Sequence, residues 1–194
     1  MNTDYIKNID EAERRMVSEP VEVREEGDKK FFEGYAFKFG ALADLGEFTE
    51  EIAIGAADEV MQDDVRGLFN HEANLVLGRT KAGTMRMAVD GIGLKYMIDF
   101  NPKDTDHTNL MEKVKRGDVS QSSFAFRVKD DKWEVRNGKD HRTIIKFKRL
   151  IDVSPVTYAA YPDATVAARA HAKIVNNKKD LAEMDQQIMK QELN

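Results

Sequence analysis

The stretch Gly117-Asp-Val-Ser-Gln-Ser-Ser-Phe-Ala-Phe-Arg-Val128 constrains this chain most, because it carries the two-residue period of a half-buried strand. On an extended backbone successive side chains point to opposite faces. Phe124, Phe126 and Val128 therefore share one side with Ser120 and Ser122, and the apolar row marks that side as core-facing. Ser123 falls on the other side with Gln121, Ala125 and Arg127, aimed at whatever packs or binds on the outer surface. A serine hydroxyl is a weak nucleophile without a neighbouring base, so the strand taken alone reads as a strand of hydrogen-bonded serines and not as a catalytic one.

Other segments extend the β pattern. Val21-Glu-Val-Arg and Phe31 to Phe39 alternate around a Glu26-Gly-Asp-Lys turn and predict a hairpin, and Glu47 to Ile54 predicts a third strand followed by a short helix over 56–62. Residues 84–98 flank Asp90-Gly91, and Lys132–Arg136 and Arg142–Leu150 flank Asn137-Gly138, dipeptides that tight hairpins prefer. Asp104 or Thr105 caps a helix that runs to Arg116 with Leu110, Met111 and Val114 inward, and Gly117 stops it. Residues 152–158 continue as strand. This count predicts a mainly β fold with helices (α+β), its strands closing into an antiparallel β-barrel surrounded by helices.

Three segments follow: residues 1–18 as an N-terminal extension or leader, 19–163 as the β-barrel domain, and 164–194 as a helical or flexible tail. Tyr5, Ile6, Ile9, Ala12 and Met16 suit a narrow helical stripe over 4–17. The 194 residues allow one domain of ordinary size, and a chain without cysteine has neither disulfides nor thiol nucleophiles. A net charge of -5 argues against nucleic acid as a specific partner, and no apolar run is long enough to span a membrane. The first residues lack the basic and apolar segments of a secretory signal, so the chain is expected to work where it is made.

Of four histidines, His71 stands out in Phe69-Asn-His-Glu72 at the end of a probable strand. His107, His141 and His171 are expected at the surface, in the helix, a charged turn and the tail. Zinc at His71 and Glu72 lacks the His-Glu-x-x-His pattern. Asp152 sits inside an apolar strand, where an acid must face water, a cation such as Lys148 or Arg149, or a histidine that it orients.

Three blocks occur in order: Phe69-Asn-His-Glu with Gly78-Arg79, the serine strand, and Ile151-Asp-Val-Ser-Pro-Val-Thr-Tyr-Ala-Ala-Tyr-Pro-Asp-Ala. Over about residues 20–168 they resemble the prohead (capsid maturation) serine proteases of HK97-type tailed bacteriophages, which are similar in fold to the herpesvirus assemblin proteases. The serine block departs slightly, with Ala125 where glycine is common. The resemblance implies a serine endopeptidase with His71, Ser123 and Asp152 as its catalytic residues, no cofactor, and Arg79, Arg127 or Arg149 beside main-chain N–H groups as oxyanion candidates. It implies cleavage of scaffold, or of the major capsid protein's scaffolding segment, inside the immature prohead in the host cytoplasm. Self-processing, a homo-oligomer and activity that awaits assembly are further expectations. The rival reading is a non-enzymatic capsid assembly or scaffolding factor.

Overall fold

The computed structural model describes residues 12–17, 19–158, 168–177, 179 and 183. The chain divides into two compact units, 1–163 and 164–194. In the second, residues 168–177 are helical.

The first unit is built on two sheets. One is antiparallel and runs in the order β2 (Glu22–Glu26), β3 (Lys29–Lys38), β9 (Gly93–Asp99), β8 (Met85–Val89). The other is mixed and centres on two long strands, β10 (Gln121–Arg136) and β11 (Lys139–Val156). β1 (Glu13–Val17) lines the free side of β10, and β5 (Phe48–Ile52) then β4 (Ala43–Asp44) extend the side of β11. β6 (Arg66–Leu68) also pairs with β11, and β7 (Val76–Arg79) pairs with β6. An α-helix, α1 (Thr105–Arg116), links β9 to β10, and Asp58–Val60 forms a 3-10 turn where a short helix is expected.

Local chemistry explains the connections. In the β10–β11 turn Asn137 and Gly138 have φ of 52 and 77, the left-handed pair of a mirror-image hairpin turn. The β8–β9 turn is different: the Asp90 carboxylate accepts from the N–H groups of Ile92 and Gly93 at 2.8 and 3.0 Å, so the side chain shapes the turn. Asp104 caps α1 by accepting from the Asp106 N–H, and Gly117, at φ 82, ends it.

The aromatic faces of the two sheets meet in one core. Phe37 of β3 lies 5.2 Å from Phe124 and 5.1 Å from Phe147, centroid to centroid, and Phe126 stacks on Phe124 at 4.7 Å. Each such ring, fully buried, stabilises the fold by roughly 1.5–3 kcal/mol.

The closed antiparallel barrel is corrected in two respects. β11 pairs with β5 and β6 in parallel. Neither sheet closes: β1 and β4 end the mixed sheet, and a cavity of about 430 Å³ lined by Met16, Val17, Ala43 and Leu45 separates them. These edge strands have five and two residues, so side chains bridge the gap in place of a backbone ladder: Arg15 Nε donates to Glu50 at 2.6 Å.

Three local expectations also change. Residues 13–17 are a strand and not a helical stripe, while residues 1–11 of that expectation lie outside the described ones. His107 is buried against Phe32 and Phe100, and desolvation holds its imidazole below the usual range. His141, expected in an exposed turn, is fully buried on β11 and hydrogen-bonded to Thr49 at 2.8 Å.

Candidate active site

Ser123 lies on β10 between Met16 of β1 and Ser154 of β11. The alternation works as the sequence predicts. Ser122 points inward, 2.7 Å from the hydroxyl of buried Tyr96, while Ser123 points to the outer face. Burial pushes the Tyr96 phenol well above its ordinary range, so it stays neutral as a partner. Gly34 makes this contact possible, because a Cβ there would stand 2.8 Å from the Tyr96 hydroxyl and 2.9 Å from Ser122 Oγ.

Asp152 reaches the same face through a bulge. Ala125 pairs with Asp152 and Phe126 with Leu150, leaving Ile151 as the extra residue. Leu150 and Val153 can then both stay in the main core, while Ile151 packs outside it with Ala12 and Ala125. Two residues further along β11, Ser154 Oγ donates to Asp152 Oδ1 at 3.0 Å and accepts from the His71 N–H at 3.3 Å.

His71 comes from the turn between β6 and β7. Asn70 and His71 have φ of 54 and 59, a left-handed pair in two non-glycine residues, which costs about 1–2 kcal/mol each. The turn is held against the end of β11: the Asn70 N–H donates to the Pro155 carbonyl at 3.0 Å, and the Asn70 carboxamide accepts from the Thr157 N–H at 2.8 Å. Strain of this kind, tolerated at one turn and offset by such contacts, clusters at functional sites.

The three side chains form one hydrogen-bonded chain. His71 Nε2 is 2.7 Å from Ser123 Oγ, and His71 Nδ1 is 2.5 Å from Asp152 Oδ1. An ionised carboxylate only accepts, so Nδ1 carries the proton and Nε2 is left to accept from the serine hydroxyl. The Ser123 residue is 1 % exposed, and the side chains of His71 and Asp152 are 6 % and 8 % exposed. Charge that develops on the imidazole is therefore felt strongly by the carboxylate, with little water to screen it. An arrangement of this kind can deprotonate a hydroxyl as it attacks a carbonyl.

The expected oxyanion arginines lie further away. Arg79 on β7 is held by Asp64, with Nε to Oδ1 at 2.7 Å. Arg127 and Arg149 face each other across β10 and β11, four positions or about 13 Å along the strand from Ser123. Sequence reasoning missed Ser154, Asn70 and Thr157. Ser154 had a usable signal, since two residues along a strand from Asp152 it must share its face.

A comparison with protein families decides the class. The family model described as caudovirus prohead serine protease matches residues 19–180, which include all three side chains. This chain belongs to that family. The protease is a serine endopeptidase of tailed bacteriophages that acts in capsid maturation, inside the prohead in the host cell. No curated protein and no solved structure matches the chain. Among the described residues no helix is long and apolar enough to cross a membrane. β1 precedes the matched residues, yet it pairs with the strand that carries Ser123.

Proposed function

We propose that Ser123 is the nucleophile of this protease, His71 its general base and acid, and Asp152 the group that orients the imidazole. The observation that carries the reading is the unbroken Ser123–His71–Asp152 hydrogen-bond chain, at 2.7 and 2.5 Å. In the first step Ser123 Oγ attacks a peptide carbonyl and its proton passes to His71 Nε2. As the tetrahedral intermediate collapses, the same proton goes to the leaving amine and an acyl-enzyme remains. Water, deprotonated by His71, then releases the acyl group and restores the serine. Asp152 accepts from Nδ1 throughout and stabilises the imidazolium; Ser154 holds that carboxylate by donating to it.

We infer further that the substrate is scaffold or the scaffolding segment of the major capsid protein, and that the protease also processes itself. A nucleophile with 1 % exposure supports activity that depends on assembly, since a peptide must displace neighbouring groups to reach it. A serine-directed fluorophosphonate tests the assignment. Labelling mapped to Ser123, faster in assembled proheads than in the isolated chain, is the expected result. Labelling of another serine, or none in the assembled state, removes Ser123 from the mechanism. Intact mass tests self-processing: trimmed termini appear in the active protease and are absent from Ser123→Ala.

A further inference from the structure

The outer face around the hydrogen-bonded chain is unusually cationic for a protein of net charge -5. Strand register places Arg14 of β1, Ala125 of β10, Asp152 of β11 and Arg66 of β6 in one row across four strands. The next row along β10 and β11 pairs Arg127 with Arg149 on the same face. The carboxylates of this region are mostly committed. Asp64 binds Arg79 and Arg66, and Asp152 binds His71, while Glu72 lies exposed on the turn. The guanidinium groups of Arg14 and Arg149 meet no carboxylate within ion-pair distance among the described residues. Both arginines are half-buried, a setting in which a charge-assisted contact is worth more than at an open surface.

A small cleft opens in this row. Its apolar floor is Ala125 and Ile151, Arg14 and Arg66 line it, and His71 and Asp152 form the wall nearest Ser123. Its volume of about 30 Å³ is enough for a group the size of a water molecule or a carboxylate head.

We propose that this cleft is a specificity subsite that receives an acidic side chain of the substrate, aspartate or glutamate, within three residues of the scissile bond. The proposal rests on Ser123 as nucleophile and adds the substrate's chemistry. Arg14, which lies before the residues matched by the family model, is its main determinant. An incoming carboxylate gains Arg14 as partner while its methylene carbons cover Ala125 and Ile151. A lysine in the same place meets like charge.

The test maps cleavage sites by mass spectrometry in proheads assembled from the protease and its capsid protein. An acid within three positions of each scissile bond is expected. Replacing that acid by lysine in the capsid protein slows cutting at that bond by about tenfold or more. Arg14→Glu reverses the order, cutting the lysine version faster, and Arg14→Gln moves the rate ratio of the two versions towards one. Sites without acidic neighbours, or a ratio that neither Arg14 variant alters, overturn the subsite while the serine mechanism stands. A pattern of fragments identical in wild type and Ser123→Ala overturns the mechanism and the subsite with it.

Discussion

Two buried polar constellations share β10 and β11, and they are built on opposite rules. On the outer face, Ser123, His71 and Asp152 are joined in a chain whose last member is a hydroxyl that, among the described residues, bonds to His71 alone. Beyond the core edge, Glu13, Arg15, Glu50 and Arg142 form a charged cluster in which every guanidinium meets two carboxylates or more. Arg15 binds Glu50 and Glu13 at 2.6 Å each, and Arg142 binds Glu13 at 2.8 Å, Glu50 at 3.0 Å and Asp131 at 2.6 Å. The cluster is saturated and rests on relaxed strands, so it contributes rigidity. The chain at Ser123 includes a strained turn and leaves one hydroxyl ready to react. Burial of polar groups serves stability where all valences close and, on the proposed mechanism, chemistry where one is left open.

Disabling one member of each constellation should separate the two roles most clearly. Asp152→Asn leaves the size of the side chain unchanged but offers His71 the wrong hydrogen-bonding partner. Its kcat is expected to fall roughly 10⁴-fold, about 5.5 kcal/mol in barrier, with a Tm close to wild type. Progress curves and thermal scans on the same sample distinguish activity from stability. Arg142→Ala does the reverse. Removing one cation leaves Glu13 and Asp131 short of a partner and costs about 3–5 kcal/mol in a denaturant titration. A more modest loss is expected of Gly34→Ala, whose new methyl stands inside contact distance of Tyr96 and Ser122. Overpacking there costs about 1–3 kcal/mol in the same titration.

The weakest of these effects concerns pH. Burial alone would raise the Glu13 carboxyl, but the hydrogen bond and charge of Arg142, helped by Arg15, hold it below its ordinary value of 4.5. A depressed carboxylate contributes stability that is complete above its unfolded value and is lost as pH falls through the folded one. The Tm difference between wild type and Glu13→Gln should therefore be constant above about pH 5 and narrow below about pH 4.5. A difference that widens on acidification would show that Glu13 is not held ionised by the arginines.

Much of the site was legible because it follows local rules. Alternation along β10 separated Ser122 from Ser123, and Asn137-Gly138 and the Asp104 to Gly117 helix follow from turn and cap chemistry. His71 and Asp152 stood out singly, His71 at a strand end and Asp152 inside an apolar strand, but only the resemblance joined them, since no local rule reports that residues 81 positions apart meet. What stayed hidden was non-local. β1 carries Glu13 and Arg15 at inward positions, and charged residues facing in conceal a strand's period until their partners on β5 and β11 are known. The parallel pairing of β11 with β5 and β6 left no local trace, and neither did the bulge at Ile151 that turns Asp152 outward. His141 looked like a surface residue because its neighbours are charged, yet Thr49 and the strand pairing bury it.

If a single hydroxyl, Ser123 Oγ, performs the cleavage, its removal must silence the protease without unfolding it. Co-expression with the cognate capsid protein, followed by peptide mass mapping, examines this in the assembled state. Trimmed capsid protein is expected with the wild-type chain and full-length capsid protein with Ser123→Ala, although both proteases fold and enter the prohead. The same trimmed fragments in the Ser123→Ala assembly would contradict the assignment.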